Sequence, residues 1–149
     1  MSKHSPHQLL AEIAEQKRDK ESQILRELNQ HHTELMYKQV SRSEQRAKLI
    51  AQYEQIMQQG ATATVLSMLV QSIDESEQAL VDLSCELAAL DIAIRQQKEK
   101  WIVAHKKFKS HEKTHQQTQR KTKKMLHQKA QLLQDEQFAT KVFKQEVSS

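Results

Sequence analysis

The chain has 149 residues, 37% hydrophobic and 4% aromatic, with one glycine, one proline and one cysteine. One glycine leaves little for the tight turns that strands need, and the scarcity of aromatic and branched apolar residues argues against a compact globular core. The net charge of +4 hides a split, because residues 1–99 carry 11 Lys/Arg against 15 Asp/Glu, whereas residues 100–149 carry 12 against 4.

Glu, Gln, Lys, Leu and Ala dominate, and all lose little rotamer freedom in a helix. Long helices burying a narrow stripe are therefore expected. No apolar run approaches the roughly 20 residues that a membrane span needs, and the opening segment, Met1 to Pro6, lacks the apolar centre of a signal peptide. Cys85 cannot form an internal disulfide. Together these features lead to an expectation of a reducing cytoplasm.

The first helix is predicted over about residues 6–58. Ser5 suits the N-cap, Pro6 suits the first turn where its missing N–H is not needed, and Gln8 can complete a capping box. Apolar residues recur at helical spacing through Leu10, Ala14, Ile24, Leu28, Leu35, Leu49, Tyr53 and Ile56. Gly60 is the natural stop, and Thr62 or Thr64 can cap the next helix. The turn is expected near residues 59–63.

The second helix is predicted over about 64–146. Steps of three and four from Leu66 pass through Leu69, Ile73, Ser76, Leu80, Leu83, Leu87, Leu90, Ile94, Gln97, Trp101, Ala104 and Phe108. Eleven of these thirteen positions are apolar, a heptad seam that predicts a coiled coil. A short turn makes the helices antiparallel neighbours. Pairing Ile56 with Leu66 then brings Leu49 to Ile73, Leu35 to Leu87, Leu28 to Ile94 and Ala14 to Phe108. Arg42 falls opposite Leu80 and Glu21 opposite Trp101, polar breaks of the kind that fix register.

In this register the first helix runs out opposite about residue 116, so the remaining C-terminal part is expected to overhang, by roughly 45 Å as a single helix. Residues 109–124 hold no apolar residue. Apolar spacing then resumes with Met125, Leu126, Leu132, Leu133, Phe138, Val142 and Phe143, and a lone helix with such a stripe needs a partner. The expected fold is an all-α, antiparallel two-helix coiled-coil hairpin with an overhanging C-terminal helix, forming a single domain over residues 1–149.

No Gly-rich phosphate loop, nucleophile elbow or carboxylate pair is present, and a two-helix rod offers no water-excluding cavity. The expectation is no enzymatic activity and no cofactor. His111 and His115 share a helix face, and His31 and His32 are adjacent, yet neither pair gains the third or fourth ligand a metal needs. The basic tract can act as a solvated face, a protein-binding face, or an electrostatic surface for nucleic acid or acidic lipid. It lacks base-stacking aromatics and the bulky apolar residues of an interfacial helix, so a protein partner is favoured. Trp101, the only tryptophan, fits the seam.

Several short elements in order resemble the flagellar type III export stalk protein family (FliJ). They are Leu10 with Ile13-Ala14-Glu15, Met57-Gln58-Gln59-Gly60 at the turn, and Ile73, Glu77 and Ala79. Trp101 with Lys106-Lys107-Phe108 and the late Asp135-Glu136-Gln137-Phe138-Ala139 complete the likeness, which spans the chain. The resemblance implies a non-enzymatic central stalk that inserts the end bearing both termini into a hexameric export ATPase (FliI-like). It also implies contact with the cytoplasmic domain of an export gate (FlhA-like) and recycling of export chaperones. The place implied is the cytoplasm, peripherally at the inner face of the cell membrane.

Carried onto this chain, the ATPase-binding residues are Lys106, Lys109, Lys113, Arg120, Lys121, Lys123, Lys124, Asp135, Glu136 and Phe138. The gate-binding residues are Lys38, Arg42, Gln45 and Leu49 on the first helix, with Ser72, Ser76, Ala79 and Leu83 on the second. The stalk of a virulence injectisome is the nearest alternative. A basic coiled-coil tether for nucleic acid or acidic membrane is the alternative from another class, and a parallel homodimeric coiled coil is disfavoured by Gly60 and the intrachain register.

Overall fold

The computed structural model describes residues 5–148. They form two helices, α1 over Pro6–Gln59 and α2 over Ala63–Val147, with no strand among the described residues. The chain is all-α, and the connection occupies only residues 60–62.

Local chemistry accounts for each boundary. Ser5 caps α1, its Oγ accepting the Gln8 backbone N–H at 3.1 Å while its carbonyl accepts the Leu9 N–H at 3.1 Å. Pro6 follows as the first helical residue. The Gln8 side chain does not complete the expected capping box; its amide instead donates to Glu12 Oε1 at 3.4 Å, one turn ahead. Gly60 ends α1 with φ of 79°, a left-handed conformation that costs other residues a clash between Cβ and carbonyl. Thr62, not Thr64, takes the N-cap position of α2, since its carbonyl accepts the Leu66 N–H at 3.2 Å.

By contact density the chain divides into two compact units, Asp19–Val103 and Met1–Arg18 with Ala104–Ser149. The first is a helical hairpin around Gly60. Its core is Leu35, Leu87, Leu90 and Ile94, with Leu25, Leu28 and Leu83 packed against them. Each fully buried leucine or isoleucine adds roughly 1.5–3 kcal/mol relative to exposure. All thirteen positions of the α2 stripe from Leu66 to Phe108 are buried or half-buried.

A polar ladder runs beside this core. His32 Nε2 lies 3.0 Å from Asp91 Oδ1, Gln39 Nε2 donates to Ser84 Oγ at 3.3 Å, and Arg46 donates to Glu77 Oε1 from Nε at 3.1 Å and from its terminal nitrogen at 2.7 Å. The α1 members ascend by seven residues while their partners descend by seven. That repeat is the signature of antiparallel helices meeting along one face. Exposed pairs of this kind contribute only about 0–1 kcal/mol each, so they select register more than they add stability. Gln97, buried on the seam, donates to the Glu21 backbone carbonyl at 3.0 Å and also to the Glu21 carboxylate. Glu21, expected opposite Trp101, also reaches Gln97 one turn away.

In the second unit Ala11, Ala104 and Phe108 are buried. The expected stripe residue Leu10 is 46% exposed, and the neighbouring Ala11 is buried in its place. The Arg18 guanidinium lies over the face of the Phe108 ring, 4.3 Å from its centre, a cation–π contact. Ser5 Oγ approaches His115 Nδ1 at 3.5 Å. Every residue from 119 to 148 is exposed.

Candidate functional site

Two surfaces offer themselves for binding, one in each unit. On the hairpin, helix geometry sorts the outward residues into two flanks. Lys38 and Gln45 precede the ladder residues Gln39 and Arg46 by one position, a rotation of about 100° that carries them across the Leu35–Leu49 line to the opposite flank. Lys38, Arg42 and Gln45 are exposed. Leu49, Ser72, Ala79 and Leu83 are half-buried, and Ser76 is buried at 9% exposure. Leu83 packs against the Leu35 cluster. The eight positions expected to meet a gate therefore include three freely exposed polar side chains, all on α1.

The other flank is more apolar. Ser84 lies one turn from both Val81 and Ala88, and Gln39 one turn from Met36, and the Gln39–Ser84 bond links the two helices beside them. Val81 and Ile92 on α2 are 55% and 54% exposed, with Met36 and Val40 on α1 comparably open. Cys85 and Ala88 are exposed between Val81 and Ile92. The spacing Val81, Cys85, Ala88, Ile92 is itself four, three, four. That second, shorter apolar stripe was present in the sequence but is eclipsed there by the stronger seam of Leu83, Leu87, Leu90 and Ile94.

The second surface is the C-terminal part of α2. Lys106, Lys109, Lys113, Arg120, Lys121, Lys123, Lys124, Asp135, Glu136 and Phe138 are all exposed. Lys109 pairs with Glu112 at 3.9 Å and lies 5.8 Å from the Phe108 ring centre. Thr114, Thr118 and Thr122 each donate to the carbonyl four residues earlier, at 3.1, 2.9 and 2.9 Å, so one face of the basic tract carries methyl groups and self-satisfied hydroxyls. Beyond it Met125, Leu126, Leu132, Leu133, Phe138 and Phe143 are each more than half exposed. Charge and apolar area thus coincide on one helix.

Among the described residues no cluster of three or more His, Cys, Asp or Glu is placed to hold a metal. Among the same residues no helix is long and apolar enough to cross a membrane. A notch lined by Ser5, His115, Thr118, Thr122 and Lys123 sits where the start of α1 meets α2; it is shallow and carries no convergent acid, base and nucleophile. No protein-family model, no curated protein and no solved structure matches the chain.

Proposed function

We propose that the chain is a non-enzymatic coiled-coil stalk of a flagellar type III protein export apparatus, joining a hexameric export ATPase to the export gate in the cytoplasm at the inner face of the cell membrane. In this proposal α1 and α2 form an antiparallel coiled coil, and the C-terminal part of α2 overhangs as the ATPase-facing end. The observation that carries it is the state of residues 119–147: helical, exposed throughout, and bearing both a basic tract and unburied Leu132, Leu133, Phe138 and Phe143. A helix of that character is stabilised by a partner that covers its apolar side and neutralises its charge. The hairpin end, with Lys38, Arg42 and Gln45 exposed, faces the gate, and export chaperones are further partners.

The stalk acts by contacting ATPase subunits unequally, which shifts their conformational populations or favours ring assembly. The test is the ATPase rate of a hexameric export ATPase with and without this protein. Reversing Lys121, Lys123 and Lys124 to Glu is expected to weaken binding and abolish most of the stimulation, and an unchanged rate with that variant sinks the assignment. The same proteins on nucleic acid and on anionic vesicles, across a salt series, address the tether alternative, whose adhesion falls steeply with salt.

A further inference from the structure

The tip of the hairpin differs in chemistry from the rest of the chain. Charged residues make up 28% of the sequence, yet the 25 residues from Leu49 to Ile73 hold one, Glu54. The seam also opens there. Leu35, Leu87, Leu90 and Ile94 are buried further along the hairpin, whereas Leu49, Tyr53, Ile56, Leu66, Leu69 and Ile73 are only half-buried. Other apolar side chains of the tip point outward. Met57 on α1 is 53% exposed and Met68 on α2 is 64% exposed, with Val65 and Val70 also open. At about 100° per residue, Val65 and Val70 flank the seam on opposite sides, and Met68, about 200° on from Leu66, faces away from it. A helix with apolar residues on several sides belongs in an enclosed setting, and two helices alone do not enclose this one.

We propose that this tip is a plug, seated in a concave, uncharged pocket of a protein partner. The chemistry of the tip selects that occupant. A charged pocket would be stripped of water against Met57 and Met68 with nothing opposite to pair with. A bilayer would also enclose the tip, but it would leave the carbonyls at the end of α1 and the side-chain amides of Gln52, Gln55, Gln58 and Gln59 without partners. Interfacial helices moreover carry Lys or Arg beside their apolar residues, and none lies between Lys48 and Arg95. A protein pocket supplies apolar walls together with the donors and acceptors those amides need, and unbranched methionines adapt to its shape. Which protein carries the pocket rests on the stalk proposal, where the hairpin end faces the export gate. The contact then lies at Met57, Val65, Met68 and Val70 rather than at Lys38, Arg42 and Gln45. The two ends of the chain bind by different physics, the basic helix through charge and the tip through burial.

Calorimetric binding of the full-length protein to the cytoplasmic domain of an export gate tests this. The wild-type dissociation constant is expected to change by less than about twofold between about 50 and about 500 mM salt, since no ion pair is required. The M57E/M68E variant, altered only at exposed positions, is expected to keep its helicity and urea midpoint while the constant rises roughly tenfold or more. K38E/R42E is expected to stay within about twofold of wild type. A wild-type affinity that falls steeply with salt overturns the tip contact. Gate binding that K38E/R42E weakens and M57E/M68E spares also overturns it, and leaves the stalk proposal standing. Adsorption of the wild type but not of M57E/M68E to phosphatidylcholine vesicles overturns the choice of a protein pocket. A gate domain that does not bind the wild type overturns the gate half of the stalk proposal and the tip contact with it.

Discussion

Gly60 carries more of the architecture than any other single residue, because the direction of α2 depends on how α1 stops. Its φ of 79° is a left-handed conformation, and a Cβ built there meets no atom within 4 Å. The cost of a side chain is therefore intrinsic backbone strain rather than collision, about 1–2 kcal/mol for an ordinary L-residue. Gly60→Ala is expected to lower the free energy of unfolding by about that amount, and Gly60→Asn by less, since Asn tolerates this region. Urea denaturation of the three proteins checks it; an Ala variant as stable as wild type would mean that the turn has another, equally good conformation. Gln97 shows a different kind of residue-scale control. Buried at 6% exposure, its amide donates to the backbone and side chain of Glu21, so it penalises any slip that removes Glu21 from its reach.

At the scale of the element, the two helices contribute unequally to the surface between them. α2 supplies a nearly continuous row of Leu and Ile, whereas α1 answers at His32, Gln39 and Arg46 with polar side chains that reach Asp91, Ser84 and Glu77. The apolar energy of the hairpin is consequently concentrated near Leu35, Leu87, Leu90 and Ile94. Leu87→Ala is expected to destabilise by roughly 2–3 kcal/mol, the lower part of the range for buried leucines because a two-helix core can partly close around the gap. Val81→Ala, on the open flank, is expected to change stability by less than about 0.5 kcal/mol. Comparing the two by urea unfolding tests whether the seam and not the flank holds the hairpin. The same asymmetry governs what could be read from the sequence. The α2 stripe was legible in full, since alternating steps of three and four through Leu and Ile, held over six repeats, seldom arise except along a packed helix face. The α1 stripe was legible only in part: its polar members do not register as hydrophobic periodicity, and Leu10 outweighs its neighbour Ala11 in hydrophobicity although Ala11 is the one buried. Of the candidate surfaces, the basic tract was visible because charge runs are local in sequence. The stripe of Val81, Cys85, Ala88 and Ile92 also has helical spacing in the sequence, but the stronger seam of Leu83, Leu87, Leu90 and Ile94 eclipses it there.

For the molecule as a whole, the question is what residues 119–148 add to stability. They are exposed throughout, Thr122 and Thr140 donate to carbonyls of their own preceding turn, and helical stability in proteins comes mostly from packing an amphipathic face. Segments of this kind open locally at low free energy, a property suited to a surface that orders fully on its partner. A chain ending at Thr118 is therefore expected to unfold at the same urea midpoint as the full protein, within about 0.5 kcal/mol, while losing helical ellipticity in proportion to the residues removed. Under the stalk proposal it is also expected to lose stimulation of a hexameric export ATPase, because the tract from Arg120 to Lys124 and the apolar residues beyond it go together. The two measurements separate folding from binding. Were the midpoint to fall by several tenths of a molar, the segment would be supporting the rest of the chain, and its loss of partner binding would have to be ascribed to a damaged stalk. With the midpoint unchanged and stimulation gone, the stalk proposal is supported and the basic helix is assigned to recognition alone.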